Sequence, residues 1–132
     1  MLGELVGETT GRRTARRVLS INPPNVEVSF EENGKMLGVN GSGFGTYTSA
    51  VRNDGSLYGE GQGAFMTQDG DMITWKGSGV GKFKEKGALS YRGTLYYRTT
   101  SQKLARLNNA MGVFEYEVDP EGKTQTKIWE WK

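Results

Sequence analysis

Three Gly-x-Gly-x-Gly triplets, Gly41-Gly43-Gly45, Gly59-Gly61-Gly63 and Gly77-Gly79-Gly81, begin 18 residues apart. Recurrence at every second position is the period of a strand, so each triplet lays three bare backbone positions on one face of a sheet. Turn chemistry stands between them: Asn53-Asp54-Gly55, then Asp69-Gly70-Asp71, with Lys86-Gly87 after the third. Long runs rich in Thr, Val, Tyr, Phe and Trp joined by such turns predict an antiparallel β-meander.

Parity along the runs assigns their faces. From Ile73 the odd positions carry Ile73, Trp75, the third glycine triplet and Phe83, while the even ones carry Thr74, Lys76, Ser78, Val80 and Lys82. The runs before and after repeat this, with Leu57, glycines and Phe65 on one side and Leu89, Tyr91, Leu95 and Tyr97 on the other. The run Val39 to Val51 puts its glycines and Tyr47 in the same phase. In all four the odd side is the expected core side.

Elsewhere, Val26, Val28 and Phe30 alternate with Glu27, Ser29 and Glu31 before Asn33-Gly34. Phe114, Tyr116 and Val118 alternate with Glu115 and Glu117 before Asp119-Pro120-Glu121-Gly122. The final run, Thr124 to Trp131, mixes apolar residues on both faces and does not disclose its orientation. Two short runs are expected to flank Thr10-Gly11. Residues 101-109 break the period: Ser101 is a capping residue, Leu104 and Leu107 are three apart, and Asn108-Asn109 stops the segment. One or two helical turns covering a barrel end follow. The expected fold is all-β, a single domain over residues 1-132. It is a closed antiparallel barrel of eight or nine strands in meander order, with one short helical turn near 101-109. Closure suits strands this long, because it removes exposed edges.

Composition narrows function mainly by exclusion. The chain has no Cys and no His, so thiol and imidazole catalysis and the usual transition-metal ligand sets are unavailable. No metal and no cofactor are expected. A net charge of +2 gives no reason to expect a nucleic-acid partner. No run approaches the 18 apolar residues of a membrane helix, and the N-terminus lacks a signal-like apolar core. No membrane association and a cytoplasmic address are the expectation.

Glycine weakens a strand and packs nothing, so an inward glycine belt needs a reason. One reason is structural: bare positions let strands bend and admit aromatic rings from the facing wall. The other is a cavity in which a small apolar ligand lies against backbone, with Tyr hydroxyls as anchors. Either way Trp75, Phe65, Phe83, Tyr91, Tyr97 and Tyr47 are the expected lining, with Gly61 and Gly79 opposite. No helix N-terminus follows these glycines, which argues against a phosphate loop.

The run Arg12-Arg13-Thr14-Ala15-Arg16-Arg17 is expected to place Arg12 and Arg16 on one face and Arg13 and Arg17 on the other. A solvated edge answering Glu4, Glu8, Glu27, Glu31 and Glu32 is one reading, and an anion patch is the other. Carboxylates, Tyr and Lys are the acid–base groups this composition leaves. Glu130, between Trp129 and Trp131, is either a solvated carboxylate or one whose pKa apolar neighbours raise. No catalytic residue is assigned.

The segments Gly59-Glu60-Gly61-Gln62-Gly63 to Gly77-Ser78-Gly79-Val80-Gly81, with Leu104 to Leu107 leading into Gly112-Val113-Phe114-Glu115-Tyr116, resemble a known pattern. It is that of uncharacterised bacterial proteins with an allene-oxide-cyclase-like, dirigent-like β-barrel. The resemblance spans residues 25-131 and implies an eight-stranded barrel. It brings no active-site residue. Fatty-acid-binding proteins have similar length but need a helix pair where this chain has Pro23-Pro24.

Three functional readings stand: a barrel holding a small apolar ligand, a metal-independent cyclase or isomerase using a buried Glu or Tyr, and a homo-oligomeric structural protein. The last would associate through Tyr58, Tyr96 or the terminal tryptophans.

Overall fold

The computed structural model of the chain describes residues 2–132. Among them eight strands run in sequence order around a closed antiparallel barrel: β1 (Leu2–Ile21), β2 (Pro24–Met36), β3 (Val39–Val51), β4 (Leu57–Thr67), β5 (Met72–Phe83), β6 (Leu89–Thr99), β7 (Met111–Val118) and β8 (Lys123–Trp131). β8 pairs back onto β1, which closes the wall. Apart from the segment between β6 and β7 the meander requires only tight turns, and those around Gly55, Gly70, Gly87 and Gly122 fall where the sequence signals them; Asn33-Gly34 is no turn, since β2 runs through it to Met36 and the chain reverses at Leu37-Gly38. Gly55 and Gly70 take the left-handed backbone, φ 86° and 90°, that the turns demand.

The odd positions of β3 to β6 face inward, as parity predicts. Ile73 is 0% exposed, Phe65, Tyr91 and Tyr97 are buried, and Phe44, Tyr58, Met66 and Tyr96 lie outside. Burying a large apolar side chain contributes about 1.5–3 kcal/mol, and two clusters do most of this. One, around Ile73, Phe65, Tyr97, Leu104 and Leu107, fills the end where β1 starts. The other, around Leu57, Leu89, Tyr91, Tyr116 and Val118, fills the opposite end.

The segment after β6 closes the first end. Its regular part is a 3-10 turn, Ala105–Asn109, with the Ser101 hydroxyl accepting from the Leu104 N–H at 3.3 Å. Leu104 and Leu107 are driven inward at 1% and 0% exposure.

A second expected break is absent, and the orientation of β8, open in the sequence, is decided. Thr10-Gly11 is no break: β1 runs unbroken through it for 20 residues, because Gly11 packs against the Glu31 carbonyl across the ladder. In β8 the even positions Thr124, Thr126 and Ile128 are the buried ones, so polar threonines lie inside and tryptophans lie toward the surface.

β1 outruns its neighbour. Its ladder with β8 ends at Arg12 opposite Lys123, followed by one bond from the Arg13 N–H to the Gly122 carbonyl at 2.9 Å. From Thr14 onward β1 pairs only with β2, leaving a seam beside the β7–β8 turn.

Candidate functional site

Register explains the glycine belt. Phe30 of β2 opposes Gly45 of β3, which opposes Gly63 of β4, then Trp75 of β5, then Tyr97 of β6. Two bare positions lie between large residues in one row, and the Trp75 indole lies across them. A Cβ at Gly63 would sit 2.5 Å from the ring and one at Gly45 2.7 Å from it. The adjacent row runs from Tyr47 through Gly61 and Gly77 to Leu95. Bulky and bare positions are staggered so that rings from one wall occupy room the other vacates.

The rings do not fill the barrel completely. A cavity of about 90 Å³ remains, where one water requires roughly 10–15 Å³ on the same measure. Tyr47, Gly61, Phe65, Trp75, Gly79, Tyr91 and Tyr97 line it. Phe83 does not: although in the inward phase, it sits at the last position of β5, past the wall's end, and is 55% exposed. Tilted rings of Phe30, Tyr47, Trp75 and Tyr116 stand 5.6–6.1 Å apart around the space.

The polar groups inside are few. The Tyr47 and Tyr116 hydroxyls are 3.2 Å apart, and the Tyr91 hydroxyl is bonded to that of Ser49. Burial pushes Tyr47 up to about 12, with relief from Tyr116, and Tyr116 is raised for the same reason. The Tyr97 hydroxyl is buried with no hydrogen-bond partner, and burial raises its pKa strongly.

Glu32 is the group that sequence reasoning misplaced. It was expected among the surface carboxylates, but it is 8% exposed and lines the cavity, accepting from the Thr9 hydroxyl at 2.7 Å. The missed signal is parity, since 32 continues Val26, Val28 and Phe30. Desolvation raises its pKa, the Thr9 bond opposing. Glu32 therefore keeps its proton more tightly in the folded chain than in the unfolded one, and its contribution to stability falls as pH rises through its folded pKa. Glu32→Gln is expected to flatten the decline of stability that sets in above the ordinary carboxylate pKa of 4.5, in urea titrations at successive pH values. An unchanged slope would contradict the burial argument.

Glu117 has the opposite sign. Partial burial would raise it, but Lys84, Ser90 and Arg92 donate to its carboxylate at 2.6–2.8 Å and hold it near 2. This stabilisation is present above the ordinary carboxylate pKa and is lost as pH falls through about 2. Glu130 is likewise lowered, and not raised by its tryptophan neighbours: the Arg106 guanidinium, 2.7 Å away, donates to its carboxylate.

A bulge between Arg13 and Ala15 changes the phase of the arginine run. Arg13 opposes Phe30 and Arg16 opposes Val28, so these two share the inner face, whereas Arg12 and Arg17 oppose Glu31 and Glu27 and form ion pairs at 3.1 and 3.5 Å. The expected pairing of Arg12 with Arg16 on one face is thus overturned by one extra residue.

Among the described residues no cluster of His, Cys, Asp and Glu could hold a metal. Among the described residues no helix is long and apolar enough to cross a membrane.

The barrel matches solved structures end to end at low identity. A protein of unknown function from Clostridium acetobutylicum is 18% identical with a TM-score of 0.85, covering 96% of both chains. A β-barrel-like protein from Acinetobacter baumannii is 14% identical with a TM-score of 0.82, over 98% of this chain and 94% of that one. An enzyme from Penicillium herquei is 14% identical with a TM-score of 0.69, over 96% and 92%. No protein-family model matches the chain, and no curated protein matches it. At these identities the likeness extends to the fold alone: a small closed β-barrel shared with proteins whose function is unknown and with one enzyme.

Proposed function

We propose that this barrel binds a small, largely apolar molecule in its interior. The observation that carries the reading is the 90 Å³ cavity, walled by aromatic rings and bare backbone, into which the buried Tyr97 hydroxyl brings an unanswered hydrogen-bonding group. Apolar walls with few convergent polar groups are the ordinary make-up of a small-molecule site. A buried hydroxyl without a partner costs about 1–3 kcal/mol, a cost that a ligand acceptor would offset.

The test has two arms. Protein purified from its native host is weighed under non-denaturing conditions, where a bound small molecule released on denaturation is expected. Small aromatic molecules are then titrated while the thermal midpoint and amide chemical shifts are followed. A ligand at ten times its Kd stabilises by about 1.4 kcal/mol, and the shifted amides should be those flanking Trp75 and Tyr97. No adduct, with no shift at millimolar concentrations, would remove the reading. Tyr97→Phe in the ligand-free protein is expected to leave stability unchanged or raise it by up to about 1–3 kcal/mol; a loss would mean the hydroxyl has a partner.

A second reading is favoured by Glu32. A buried carboxyl with raised pKa beside a protonated tyrosine is an acid–base arrangement that needs no metal. The allene-oxide-cyclase-like resemblance and the enzyme from Penicillium herquei with the same barrel support it as an isomerase or cyclase. It requires a turnover with epoxide or enone substrates that Glu32→Gln abolishes. Turnover surviving that substitution would exclude Glu32 from the chemistry.

A further inference from the structure

Arg13 and Arg16 are the feature that neither reading absorbs. They are the inner-face pair created by the β1 bulge, one half-buried and one exposed, beside the seam where β1 leaves β8. Each outer-face arginine in the run has a glutamate partner across the ladder, but Arg13 and Arg16 have no ion pair among the described residues. Their inward phase follows from their partners: Val28 and Phe30 are both buried. Both positive charges act on the Tyr47 hydroxyl, and on Tyr116 that of Arg13 opposes the charge of Glu32.

The hydroxyls add to the same balance. Tyr47 and Tyr116 share one hydrogen bond, so whichever donates, the other still has an O–H to give. The seam end therefore brings guanidinium groups, that of Arg13 beside Gly122 of the β7–β8 turn, toward the phenol donors of the cavity wall, and the carboxylate that also acts there is the buried Glu32. Glu27 and Glu31 are turned outward, and Glu32 is bonded to Thr9 one inward position further along. Guanidinium groups are matched by oxyanions, which they bind through paired N–H donors.

We infer that the ligand is a small organic carboxylate, its head held at the seam by Arg13, Arg16 and the Tyr47–Tyr116 pair, its apolar body reaching inward along Phe30 and Trp75. This rests on the cavity-binding reading and specifies its ligand class. The seam lies at the end of the barrel away from Leu104 and Leu107.

Two matched probe pairs test it: phenylacetate against phenylacetamide, and octanoate against octanamide. Each pair keeps its shape and changes only the charge. Calorimetric or NMR titration of the wild-type protein is expected to show the carboxylate binding at least about tenfold more tightly than its amide, a margin near 1.4 kcal/mol. The Arg13→Gln, Arg16→Gln double variant should lose that margin and keep its amide affinity. The Arg12→Gln, Arg17→Gln variant removes the same net charge from the outer face and should retain the margin. Equal affinity for acid and amide in the wild type, or equal loss of the margin in both double variants, overturns the carboxylate assignment while leaving cavity binding intact. Failure of all four probes to bind at millimolar concentration overturns cavity binding and the assignment with it. An Arg13→Gln, Arg16→Gln protein with an altered thermal midpoint is replaced by the Arg13→Lys, Arg16→Lys variant. That variant keeps the charge and loses the paired donors, and should bind the acids with intermediate strength.

Discussion

Leu107→Ala is expected to remove about 2–5 kcal/mol of unfolding free energy. Leu107 is 0% exposed and packs with Leu104, Ile73 and Val6 at the end where β1 begins. It projects from a five-residue 3-10 turn whose own backbone bonds are few, the Leu107 N–H to the Leu104 carbonyl at 3.0 Å among them. So short a turn has little stability of its own, and its position depends on the two leucines it inserts. Truncation removes apolar contacts and leaves a void between strands whose paired backbones cannot close inward. Urea unfolding should show the midpoint falling with the slope unchanged. A loss below about 1 kcal/mol would mean that the segment does not plug the barrel.

Gly63→Ala should cost about 3 kcal/mol, at the upper end of the range for overpacking. Its Cβ would approach the Trp75 ring at 2.5 Å and the Phe44 carbonyl oxygen at 2.6 Å. The ring is held by Phe30 on one side, 6.1 Å between centroids, and the carbonyl belongs to the β3–β4 ladder, so neither neighbour can move cheaply. Introducing Trp75→Leu in the same chain separates the two clashes. The double variant should be more stable than the sum of the single losses predicts, by about 0.5–3 kcal/mol of coupling. Strict additivity would show that the glycine serves the backbone and makes no room for the indole.

That glycine shows how far parity can be read. Alternation alone placed Trp75, Tyr91 and Tyr97 with the glycines on one face of β4 to β6, because each of these strands has one wet side and one dry side. The same rule, extended two residues past Phe30, marks Glu32 as interior. It failed in use because a glutamate followed by Asn33-Gly34 reads as a turn approach, and the Thr9 hydroxyl that accommodates it lies 23 residues away. Phe83 failed in the other direction: its parity is right, but the wall ends there, and no local pattern states where a barrel rim falls.

The sequence by itself determined the strand count to within one, the meander order and the inward faces of β3 to β6, since turn residues and period-2 patterning are local properties. The tertiary structure alone decided three things. Strand β8 turns threonines inward, because each of its faces mixes polar and apolar residues and only pairing with β7 and β1 chooses between them. The bulge at Arg13/Ala15 brings Arg16 to the inner face that Arg13 already occupies opposite Phe30, because a one-residue insertion in the ladder reverses every side chain after it. The belt of glycines and rings leaves a small cavity, because the space left over is a difference between wall and filling that depends on how staggered rows meet across the barrel.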